Sequence, residues 1–155
     1  SKNQGKMLEF KQALSKLQSS GIFLDYQKKN TSSYLTNSLY IHEWQINYFS
    51  LKTNVITSFT INSKIKKKTL EAKNQKFPVL NKNKINVDIE EALSRSVNNL
   101  SKSESMAIII IQTENSVPVW NISIPTPSLK VINVKISAET GKVLEKSEKS
   151  IIETR

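Results

Sequence analysis

Four lysines crowd into five positions, at Lys64, Lys66, Lys67 and Lys68. In an extended strand side chains alternate between faces, so Lys64, Lys66 and Lys68 would share one face and Lys67 would point the other way. Like charges this close repel, and their field is screened only over about 8 Å at physiological salt. An anionic partner would relieve the repulsion: an acidic protein surface, lipid headgroups or an envelope polymer. The bland reading is that lysines on an edge strand bar unwanted strand pairing.

Other residue types that do chemistry are sparse. His42 is the only histidine and no cysteine is present. An ordinary zinc site draws on several His, Cys or carboxylate ligands. A Ser-His-Asp triad would have to use His42, and the chain has no G-x-S-x-G elbow. His42 falls on the same strand face as Trp44, which makes it a packed or edge residue. Glu90 and Glu91 are neighbours on a helix and point differently, so capping and solvation explain them better than paired acid–base chemistry. Three glycines cannot build a phosphate-cradling loop. The expectation is therefore no catalytic residue, no metal, no cofactor and no small-molecule substrate. Trp44 and Trp120 are candidates for a ligand groove, but tryptophans on the inner face of a sheet belong more often to the core.

The charge distribution sharpens the partner question. Residues 1–63 carry a net +4, residues 64–84 a net +7 and residues 85–155 a net −1, within a total of +10. A domain built for nucleic acid is basic over a broad face, and single-strand binders place aromatic platforms among the basic residues. Within 64–84 the only aromatic is Phe77, beside Pro78. A protein partner is the first reading, and a basic domain that binds nucleic acid or another polyanion is the alternative. The longest apolar run, 106–111, is far short of the ~20 residues a membrane helix needs. No signal peptide is visible at Ser1, and the sequence leaves an upstream anchor open.

Periodicity supplies the elements. Met7, Phe10, Leu14 and Leu17 predict a helix over 6–19, closed by Gly21. Residues 22–26 predict a short strand and 27–38 a loop. Alternating apolar residues predict strands over 39–49 and 54–62, and a polar edge strand over 65–72. Residues 73–84 form a connector, with Phe77–Leu80 docking onto something apolar. Asp88, with Glu91 three residues on, has capping-box spacing and opens a helix to about Leu100. Strands are expected over 106–112, buried or central, then 117–124 and 129–137. A turn at Ala138–Gly141 leads into a last strand over 142–147.

The second half repeats the first in register. Trp44-Gln45-Ile46-Asn47 lies 76 residues before Trp120-Asn121-Ile122-Ser123, Phe59 and Ile61 lie 75 before Val134 and Ile136, and Ala13-Leu14 lies 79 before Ala92-Leu93. Such small shifts are what altered loop lengths produce. The chain reads as α+β: two tandem helix-plus-antiparallel-sheet units, 1–76 and 77–155, with two helices and about eight strands.

Residues 86–148 resemble the PepSY domain family. The resemblance rests on Val87–Leu93, on Val117–Ile122, and on Val134–Leu144 with its Ala138-Glu139-Thr140-Gly141-Lys142-Val143 turn. The family's usual Asp before that turn is replaced by Ser137. The resemblance implies a cystatin-like curved antiparallel sheet packed on a helix. It also implies a non-enzymatic, extracytoplasmic module, secreted or membrane-anchored, of the kind associated with protease propeptides, cell-envelope proteins and regulation of peptidases. The matched residues are structural ones, so it transfers no functional residue.

Overall fold

The computed structural model describes residues 7–96 and 106–150. Phe10, Ala13, Leu14 and Leu17 share one buried stripe in helix α1, Phe10–Gln18. Glu9 is its N-cap, so the helix starts later than the 6–19 span expected. Residues 22–26, expected as a strand, belong instead to a second helix, α2, Gly21–Lys29. The Ser20 hydroxyl caps it, accepting the Phe23 N–H at 3.3 Å, and Phe23 and Tyr26 are buried one turn apart. A five-residue apolar run cannot by itself separate strand from helix. Gly21 opens α2 rather than closing α1.

The loop expected over 27–38 holds the end of α2 and the start of strand β1, Ser33–Ile41. This strand reads as polar because its buried hydroxyls find backbone acceptors: Thr36 donates to the Pro78 carbonyl at 2.7 Å and Ser38 to that of Gln45 at 2.8 Å. The single strand expected over 39–49 is two. At His42 the backbone turns left-handed, with φ 67°, and β2, Glu43–Ser50, runs back along β1 with Trp44 opposite Tyr40. The face shared by Tyr40 and Trp44 survives because cross-strand partners point the same way. His42 itself stands exposed at the hairpin tip.

Strands β3, Val55–Ile61, and β4, Lys66–Glu71, complete a first meander. A connector with one 3-10 turn, Lys82–Lys84, leads to helix α3, Ile89–Ser96. The rest of the helix expected to Leu100 lies outside the described residues. A second meander follows: β5, Ile108–Glu114; β6, Val117–Pro125; β7, Lys130–Ser137; and β8, Val143–Ser150. The fold is α+β, with three α-helices among the described residues rather than two. Its eight-stranded antiparallel sheet has the order β4-β3-β2-β1-β5-β6-β7-β8.

The two meanders carry the same register. Ile46 faces Phe59 as Ile122 faces Val134, and Trp44 faces Ile61 as Trp120 faces Ile136. Where β1 meets β5, Ser38 faces Ile111 and Tyr40 faces Ile109, on either side of the pair Leu39 and Ile110. One continuous core joins α1, α2 and α3 to one face of the sheet. On the other face polar side chains bond one another, Asn47 Nδ2 to Asn37 Oδ1 at 2.6 Å and Asn133 Nδ2 to Asn121 Oδ1 at 2.8 Å. The connector docks through Phe77, whose ring lies 4.9 Å from that of Phe49, and through the buried Leu80, whereas Pro78 and Val79 between them are exposed.

Candidate functional site

Among the described residues β4 is an outer strand that pairs with β3 alone, and all six of its residues are exposed. The core anchors both of its ends. Ile65 packs against the buried cluster just ahead of it. Just after it, the Ala72 N–H donates to the Asn54 carbonyl at 3.0 Å, and Asn54 Nδ2 donates to the Ala72 carbonyl at 2.9 Å. Register then fixes the faces. Lys66 and Lys68 lie opposite Thr60 and Ser58, and Lys67 lies opposite the core residue Phe59. Lys66 and Lys68 therefore share the helix-free face, and Lys67 points to the helix side, as their spacing predicts.

Lys64 departs from expectation. It sits in the turn before β4, where its N–H donates to Asn62 Oδ1 at 2.9 Å, so it adds charge at the strand's mouth without joining the Lys66 and Lys68 row. Asn62 ties this corner together, donating to Glu43 Oε1 at 3.2 Å while its carbonyl accepts Lys16 Nζ at 2.9 Å. Among the described residues no ion pair involves Lys64, Lys66, Lys67 or Lys68.

The opposite edge is chemically different. By register the counterparts of Lys66, Lys67 and Lys68 are Glu145, Lys146 and Ser147. Lys66–Glu71 holds three lysines and one glutamate, whereas 145–150 holds two of each, and Glu148 pairs with Lys130 at 3.5 Å. The two edges thus differ in charge, lysine-rich at β4 and balanced at β8.

The remaining candidates are structural. Trp44 and Trp120 are 1% and 0% exposed, with ring centroids 6.2 Å apart. Their indole N–H groups donate to the carbonyls of Leu8 and Val87 at 2.7 and 2.8 Å, in each case the residue just before a helix N-cap. Both belong to the core, and Trp120 also lines, with Phe10, Ile85 and Val87, a depression between the starts of α1 and α3. Asp88 caps α3 through the Glu91 N–H at 3.0 Å, but Glu91 turns to Arg95 at 2.6 Å rather than completing the capping box. Among the described residues no cluster of three or more His, Cys, Asp or Glu side chains is placed to hold a metal ion.

Sequence reasoning missed Glu9. Its carboxylate reaches across to the other helix, where Oε1 accepts the Ile89 N–H at 2.7 Å and Oε2 the Glu90 N–H at 3.3 Å. It borders a depression of about 350 Å³ between the two helix starts, with Lys11, Asn86 and Asp88 on the rim. Burial raises the Glu9 pKa, nearby Asp88 and Glu90 add to the rise, and the two N–H donors oppose it. A contact across 80 positions leaves no local signal.

No protein-family model matches the chain, and no curated protein sequence does. Among solved structures the chain is similar to a putative lipoprotein from Clostridium difficile 630. The two chains share 12% identity over 83% of this one and 90% of that one, with a TM-score of 0.59. At that identity the likeness concerns the fold alone. No helix among the described residues is long and apolar enough to cross a membrane.

Proposed function

We propose that this chain is a non-catalytic extracytoplasmic binding module, PepSY-like in both halves, that docks an anionic protein surface at its β4 edge and thereby regulates an envelope protein or peptidase. One observation carries the reading: three exposed lysines on an outer strand, with no ion pair among the described residues, whose counterpart at the other edge is charge-balanced. The matched registers of the meanders and the equivalent indole bonds support a duplication, with units over 1–76 and 77–155. The turn after Ser137 supports the PepSY likeness despite the missing Asp. The Ser137 hydroxyl accepts the N–H groups of Glu139 and Thr140 at 3.2 and 3.0 Å, a task a carboxylate also performs. The fold neighbour's description as a lipoprotein supports a place outside the cytoplasm, on a membrane or secreted.

The test replaces Lys64, Lys66 and Lys68 with Gln. Binding to polyglutamate, to phosphatidylglycerol vesicles and to oligo-dT is then measured across salt concentrations. Polyglutamate binding that weakens with the substitutions and with salt is expected. Preference for oligo-dT would move the assignment to nucleic acid, although Phe77 is already engaged with Phe49 and offers no free platform for a base. No binding by the parent protein would overturn the reading.

A further inference from the structure

We infer that β4 captures its partner by strand addition: an extended acidic peptide joins the sheet as a ninth strand. The inference rests on the anionic-partner reading above and adds how the partner is held. Antiparallel pairing alternates residues whose N–H and C=O face the neighbour with residues whose groups face away. The Ala72 N–H bonds the Asn54 carbonyl, so the register turns the backbone groups of Lys66, Lys68 and Leu70 toward β3. Those of Lys67, Thr69 and Glu71 then face outward. The outward groups lie on an outer strand with every side chain exposed, and such an edge is a template for an incoming strand.

The lysines select which strand that is. A residue added opposite Lys66 or Lys68 shares their face, and one opposite Lys67 shares the helix side, each about 4.5–5.5 Å away at Cβ. Consecutive acidic residues therefore meet Lys66, Lys67 and Lys68 on both faces of the new strand. A neutral strand gains the backbone bonds but leaves three like charges unrelieved. A basic strand, including β4 of a second copy, is repelled. The lysines that block indiscriminate pairing thus act as a filter that admits an acidic partner. The other edge has as many lysines as glutamates over 145–150 and offers no such filter.

The probe is a fluorescent nine-residue peptide with three consecutive glutamates between threonine and valine residues, added to the full chain. Four companion peptides carry glutamine for glutamate, lysine for glutamate, or, with the glutamates kept, N-methyl groups on one or the other alternating set of backbone nitrogens. The glutamate peptide should bind at least tenfold more tightly than the glutamine and lysine companions and than one of the two N-methylated forms, and it should slow hydrogen exchange at the amides of Lys67, Thr69 and Glu71. A Lys66→Gln, Lys67→Gln, Lys68→Gln variant should lose the same tenfold while keeping its thermal midpoint. If both N-methylated forms, one for each alternating set of nitrogens, bind as well as the parent peptide, strand addition is overturned and charge docking stands. If the triple variant binds every peptide as the parent protein does, the lysine site itself is overturned.

Discussion

Two helix starts meet at Glu9, and one carboxylate serves the second of them from the first. A raised carboxyl pKa means that the folded chain holds this proton more tightly than the unfolded chain does. The contribution is fully present below the ordinary glutamate value of 4.5 and is lost as pH rises through the folded value. NMR titration should place the Glu9 carboxyl above an ordinary glutamate, and Glu9→Gln should flatten the pH dependence of stability in that window. A Glu9 that titrates at the ordinary value would contradict the burial. At Gly141, φ is 83° and an added Cβ would lie 2.9 Å from Arg95 Nη1. That guanidinium donates to the Gly141 carbonyl at 3.0 Å. Gly141→Ala should therefore cost about 1–2 kcal/mol for the left-handed backbone, with more from the displaced Arg95, as read by chemical denaturation.

The tryptophan strands are the elements that set the register. Each indole is buried and tied to the carbonyl ahead of a helix cap. Trp44→Ala and Trp120→Ala should each cost about 3–5 kcal/mol, and by similar amounts because the two environments correspond. A loss below about 1 kcal/mol at either would contradict their equivalence. β6 is legible because Trp120, Ile122 and Ile124 alternate and are buried, whereas β2 reads as the second half of one strand over 39–49 because Tyr40 and Trp44 keep one face across the His42 turn. β1 is not legible, because Thr36 and Ser38 hide their burial behind hydroxyls bonded to distant carbonyls. α2 is not, because Phe23 and Tyr26 show a single helical turn within an apolar run too short to display a period. The faces of Lys66, Lys67 and Lys68 followed from alternation, whereas Lys64 was misassigned because the strand begins two residues later.

At the scale of the molecule, register sets two edges against each other: β4, rich in exposed lysine, and β8, balanced in charge. Over Lys66–Lys68 and Glu145–Ser147 the pairing corresponds, although β8 has a register shift beside Glu145 that β4 lacks, so across those three positions the difference lies in the side chains. The central claim is that those side chains, rather than the fold, create the docking edge. The most direct measurement exchanges charges between the edges and reads binding of the fluorescent three-glutamate peptide by anisotropy. Lys66→Glu with Lys68→Ser gives β4 the side chains of its counterpart and should abolish binding. Glu145→Lys with Ser147→Lys gives β8 the lysine pattern and should add a second site, doubling the stoichiometry. Unchanged affinity and stoichiometry in both exchanged proteins would contradict the claim.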